Sequence, residues 1–106
     1  MPDSPRLALA RVARDVALAD PDVATLDAGP SRLRVTSGAG ERVEGVVAAA
    51  TGAGGYTLDL HVEARPVDLH AMGARVRAAV VQAAREQGLA GNLASVSVHV
   101  EDVVAP

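Results

Sequence analysis

Apolar and polar residues alternate without a break from Tyr56 to Arg65. Tyr56, Leu58, Leu60, Val62 and Ala64 fall on one side, and Thr57, Asp59, His61, Glu63 and Arg65 on the other. A period of two marks a β-strand with one buried and one wet face. The run from Ala94 to Val103 alternates in the same way, with Val96, Val98 and Val100 set against Ser97, His99 and Glu101. Between these two runs the period becomes helical. Leu69, Met72, Gly73, Val76, Val80 and Ala83 form one stripe, and His70, Arg77, Arg85 and Glu86 lie largely off it. Asp68 is placed to cap the first turn of this helix, and Gly88 to end it in the left-handed conformation. Pro66 closes the preceding strand.

The first half of the chain is less regular. Ser4 and Pro5 suit the N-cap and first position of a helix. Leu9, Val12, Ala13 and Val16 mark its apolar face, and Arg11, Arg14 and Asp15 its polar one. Asp20-Pro21 stops it, because the residue before proline avoids the α region. A short segment, Val23 to Leu26, precedes a turn at Gly29-Pro30 and a strand from Arg32 to Thr36. Ser37 to Gly40 reads as a turn, Arg42 to Thr51 as a weakly alternating strand, and Gly52 to Gly55 as a hairpin connection. The predicted order is α-β-β-β-α-β. The second helix is a crossover, so the strands it joins should run parallel. Each helix has one apolar stripe and each clear strand one apolar face. The expected architecture is therefore an α+β two-layer sandwich, with two helices packed on one face of a small mixed sheet and the other face open. Residues 1–106 make one domain.

Composition narrows the chemistry. The chain has no cysteine, which excludes thiolate metal sites, disulfides and thiol catalysis. Tyr56 is the only aromatic residue, so no platform exists for stacking bases or flavin rings. The net charge of −3 is well mixed and argues against a nucleic-acid partner, which needs a basic stripe. No run approaches the ~18 apolar residues of a membrane span, and no secretory signal opens the chain. The expectation is a cytoplasmic protein without direct membrane insertion.

Few residues offer catalytic chemistry. His61, Glu63, His99 and Glu101 could cluster as metal ligands if their strands are neighbours, but alternation on a wet face already accounts for them. Gly38 to Gly40 and Gly52 to Gly55 lead into strands, not helices, and lack the Lys-Ser/Thr of a phosphate loop. Gly88-Leu89-Ala90-Gly91 has the G-x-x-G spacing of an RNA-clamping loop, but it carries no basic residue. No serine sits in a nucleophile elbow. No catalytic residue, cofactor or metal is expected. The segment Glu44 to Thr51 has neither internal charge nor proline. It is either an inner strand paired with Arg32 to Thr36 or an edge able to template a second chain. The candidate interaction surface is therefore Val46, Val47 and Ala49 with Asp59, His61, Glu63, His99 and Glu101.

The second half of the chain resembles the alkaline shock protein family of bacterial envelope stress response proteins. The resemblance lies in the strand Tyr56 to Val62, Val67-Asp68-Leu69, the helix with Val76 and Val80, Gly88-Leu89, and the closing Val96-x-Val98-x-Val100-x-x-Val103. The first half matches more loosely, and Pro66 stands near a position where the family commonly has glycine. The resemblance implies a non-enzymatic scaffold or adaptor acting through protein–protein contacts. It would self-associate and gather near the inner face of the cell membrane through a membrane-anchored paralogue. The alternative is a small ligand- or nucleic-acid-binding module using the open sheet face.

Overall fold

A computed structural model describes residues 4–105. The elements are α1 (Pro5–Ala19), β1 (Val23–Leu26), β2 (Val35–Gly38), β3 (Glu41–Glu44), β4 (Val46–Ala50), β5 (Tyr56–Ala64), α2 (Leu69–Glu86) and β6 (Leu93–Val103). The expected caps are in place. The Ser4 hydroxyl accepts from the Leu7 amide at 3.3 Å, and the Asp68 carboxylate accepts from the Ala71 amide at 3.0 Å. Gly88 (φ +73°) follows α2 in the left-handed conformation. Its amide donates to Arg85, and the next amide, from Leu89, donates to Ala84. This paired closure satisfies carbonyls that the end of the helix would otherwise orphan.

The sheet is built on β5. β6 lies parallel to it from end to end, as the crossover through α2 requires. β4 pairs antiparallel with Tyr56 to Leu60, and β1 with Val62 to Ala64. A strand has only two edges. β6 occupies one, so β4 and β1 share the other, end to end. They meet at His61, whose amide donates to Gly45 at 2.7 Å and whose carbonyl accepts from Asp27 at 2.8 Å.

Both helices lie on one face of this mixed sheet, α1 against β1, β4 and β5, and α2 against β6 and α1. The core contains Leu7, Leu9, Leu58, Leu60, Val62, Met72, Val76 and Val80, all fully buried. With Tyr56 the one aromatic and only partly buried at its margin, it is chiefly a valine, leucine and alanine core, and each fully buried Val or Leu contributes roughly 1.5–3 kcal/mol. The α2 stripe is as the spacing predicts, except that Ala84 rather than Ala83 reaches the interior. Ion pairs tie the layers at their margins. Arg75 donates to Asp20 from Nε at 2.7 Å and from Nη2 at 3.0 Å, and from Nη2 to Asp22 at 2.9 Å. This holds the Asp20 carboxyl below its ordinary range. Arg11 and Arg14 both reach Glu41.

Three readings of the first half need correction. Val23 to Leu26 is a strand of the main sheet, not merely a connecting segment. The strand expected at Arg32 to Thr36 lies three residues later, at Val35–Gly38, and takes in part of the expected turn. The strand expected from Arg42 to Thr51 is two strands divided at Gly45, where φ is +80°. β3 folds back on β2 as a separate hairpin, and β4 joins the sheet. Weak alternation hid the break, because residues 41–44 and 46–50 belong to different sheets and share no one buried face.

The division also decides the outer edge of β4. No backbone ladder covers it. Instead Thr36, 1% exposed, donates its hydroxyl to the Val46 carbonyl at 2.8 Å and accepts from the Ala48 amide at 2.9 Å. One side chain thus satisfies a donor and an acceptor that a neighbouring strand would otherwise take.

Substitutions at two positions test this account. A Cβ at Gly45 would lie 2.6 Å from the Leu26 Cβ and 2.8 Å from the Asp27 amide nitrogen, on a backbone already in the left-handed region. Gly45→Ala is expected to cost roughly 2–6 kcal/mol, combining backbone strain with overpacking. Thr36→Val keeps the shape but strands two buried backbone groups, at roughly 1–3 kcal/mol, whereas Thr36→Ser is expected to cost less. Urea midpoints measure all three, and equal losses for Val and Ser would remove the role given to the hydroxyl.

Candidate functional site

The face of the sheet away from the helices carries the polar half of each alternation. Its centre is the contact between β5 and β6. Because these strands are parallel and in register, His61 lies beside His99. Their rings stack, with centroids 4.8 Å apart and planes inclined by 14°. Each ring is tied to a carboxylate of the other strand. His61 donates from Nδ1 to Glu101 Oε1 at 2.7 Å, and His99 from Nε2 to Asp59 Oδ1 at 2.8 Å. Arg34, just ahead of β2, reaches the same Glu101 oxygen at 2.8 Å. The result is a continuous polar row across the sheet, running Arg34, Glu101, His61, His99, Asp59.

Glu101 occupies this position because of a bulge. Val100 faces Val62, but Asp102, not Glu101, faces Glu63. The extra residue on β6 turns Glu101 back toward His61. It also puts Asp102 next to Glu63, which already faces Asp27. The two acids of the face therefore behave oppositely. Glu101 is held below the usual carboxylate range, first by its hydrogen bond from His61 and then by Arg34. Glu63 is pushed above that range, first by its partial burial and then by the like charges of Asp27 and Asp102.

The candidate residues separate accordingly. Asp59, His61, His99 and Glu101 come together. Glu63 shares their face but is drawn into the acidic group at its end. Val47 is half-buried and Ala49 exposed; their partners in β5 are Asp59 and Thr57, which places both on the open face. Val46 pairs with Leu60 and is fully buried, so it belongs to the core and offers nothing to a partner. Arg34, Asp27 and Asp102 were not singled out in the sequence. Arg34 and Asp27 reach the face only through the loop between β1 and β2, and Asp102 only through the bulge. None carries a local signal.

The geometry restricts the chemistry available here. No group of three or more potential ligands is arranged to hold a metal among the described residues. Stacked imidazoles direct their in-plane lone pairs in parallel, so both rings cannot converge on one ion. The His99–Asp59 pair has the form of a base with its orienting carboxylate, but no hydrogen bond joins either ring to Ser97, the nearest hydroxyl in sequence. What the row does achieve is mutual satisfaction of charge on an uncovered surface. Comparison with protein-family models, with curated proteins and with solved structures returns no match. The resemblance to the alkaline shock proteins therefore rests on the residues that carry it.

The opposed carboxyls give opposite pH responses. Glu63 has a folded-state pKa above its unfolded one, so its charge costs stability at neutral pH, and that cost vanishes as pH falls through the folded value to below about 4.3. Glu101 has a folded-state pKa below its unfolded one. It contributes stability above about pH 4.3 that is lost as pH falls through the folded value. Glu63→Gln is thus expected to raise the melting temperature at neutral pH and Glu101→Gln to lower it, with both differences closing in acid. Shifts of the same sign would show that the bulge does not separate the two acids.

Proposed function

We propose that this chain is a non-catalytic adaptor or scaffold domain that works through protein–protein contacts of its sheet. The observation that carries the reading is the coverage of the sheet. Helices protect one face only, and β6, eleven residues long, has a strand neighbour on one side only. The charged groups of the open face are engaged with one another, which suits a broad, prearranged contact surface better than capture of a small molecule. The resemblance to the alkaline shock proteins adds the setting. The domain serves the bacterial cell-envelope stress response in the cytoplasm, held near the inner face of the membrane by an anchored protein partner. No described helix is long and apolar enough to cross a membrane, so recruitment through a partner is the route considered.

A photo-crosslinking side chain at Ala49 or Thr57 places a probe on the open face, and one at Leu18, exposed on α1, serves as the control. In bacterial cells the sheet-face probes are expected to give a discrete protein adduct enriched in the membrane fraction, and the Leu18 probe not to. Adducts only from Leu18, or none from any position, would sink the reading.

A further inference from the structure

The helix α2 has a second stripe besides its buried one. His70, Ala74, Arg77, Val81 and Arg85 are spaced by three and four residues, so they share a side turned away from the core. All but Val81 are exposed. With residues 95–98 of β6 this side walls an open groove, and Arg77 and Val96 border both halves of it. Among the described residues β6 has β5 on one side and no strand on the other. The groove therefore runs beside a row of backbone groups that no strand pairs.

Two properties of the groove select its occupant. The first is the strand edge. Its outward amides and carbonyls can be paired in a row only by another extended backbone, which an acyl chain or a phosphate lacks. The second is charge on the same wall. Among the described residues neither Arg77 nor Arg85 forms an ion pair. Arg85 donates to the Gln82 carbonyl at 3.2 Å, and Glu86 accepts from the Gln82 amide at 3.1 Å instead of meeting either arginine. Glu101 is engaged on the open face with His61 and Arg34. Between the two arginines the wall is small and apolar, at Ala78 and Val81. Unpaired cations on either side of an apolar step call for acidic groups on either side of an apolar one.

We infer that the groove between α2 and the free edge of β6 receives an extended acidic peptide segment of a partner protein, added to the sheet as a strand. The spacing of its charges follows. Arg77 and Arg85 stand about two helical turns apart, roughly 12 Å along the axis. Four residues of a strand cover roughly 13 Å. Side chains four apart in a strand point to the same face, as does the one midway between them. The segment therefore carries two acidic residues four apart, with a small or branched apolar residue midway, against Ala78 and Val81. This pattern is the same in both chain directions. The inference rests on the reading that the sheet works through contacts with other proteins, and it gives one such partner its chemistry. It concerns the edge and leaves the open face to others.

Fluorescence anisotropy of labelled synthetic peptides with the full chain tests it. The probe is a threonine- and valine-rich peptide with two glutamates four apart and a valine midway. One control places a proline beside that valine, and another replaces both glutamates by lysine. The glutamate peptide is expected to bind, and each control to bind the wild type at least roughly tenfold more weakly. The double variant Arg77→Glu with Arg85→Glu is expected to reverse the preference, losing the glutamate peptide and gaining the lysine one. Both positions are exposed, and circular dichroism checks that the variant folds. That exchange of partners is a result no general loss of structure gives. Added salt is expected to weaken both matched pairs. Three results would each overturn the inference. They are no binding of the glutamate peptide, equal binding of the proline peptide, and sedimentation with anionic phospholipid vesicles in place of peptide binding. Crosslinking from Ala49 and Thr57 reports the open face alone. Adducts there without peptide binding remove only the groove's ligand, whereas loss of the adducts removes the adaptor reading.

Discussion

Everything in this fold is arranged around the occupied edges of one strand. β5 has β6 along one side, and on the other it must accommodate β4 and β1 in succession. The seam between those two is the backbone of His61, bonded to Gly45 on one strand and Asp27 beside the other. The seam is tight enough that only glycine fits at position 45. A strand nine residues long is therefore held at every point, although neither β1 nor β4 could cover it alone. The same residue whose backbone closes the seam carries its imidazole to the centre of the open face. The packing of the sheet and the arrangement of its polar row are one constraint, since a one-residue slip of register would turn His61 from that face to the core.

This explains which parts could be read from the sequence. The second half is regular because each element keeps one side toward the core throughout. β5 alternates over an unbroken core face, and α2 meets the sheet with a single stripe, so periodicity, caps and the parallel crossover were all legible. The first half fails where elements change role. Residues 41 to 50 begin in a hairpin and end in the sheet, and Gly45, the pivot, looks in the sequence like one small residue among several. Thr36 is a further case. Its hydroxyl replaces a strand, and nothing local distinguishes it from a surface threonine. On the open face, the pairing of His61 with His99 follows from parallel register and alternation, but the bulge that exchanges Glu101 for Asp102 does not.

The bulge has a physical consequence beyond register. Without it, Glu101 would face Glu63 across the strands, and two like charges directly opposite are unfavourable. Shifting β6 by one residue gives Glu101 to a histidine and an arginine, and passes the repulsion on to Asp102. The strain is not removed. It stays at Glu63, with Asp102 in place of Glu101 as the facing acid and Asp27 close by. An acidic group is left there with no cation of its own.

A sheet edge is costly to leave open, because its unpaired backbone groups attract other strands. In β4 this chain satisfies one outward carbonyl and one outward amide with a single buried hydroxyl. β6 is longer, carries exposed valine, and has no equivalent closure among the described residues. Its inward-facing side chains include no charge, and its acidic residues, Glu101 and Asp102, gather at one end. The contrast between the two edges is the asymmetry that calls for a cause. The two margins of the sheet are thus finished by different means, one by a side chain that satisfies backbone groups of β4 and the other by no strand beyond β6 among the described residues.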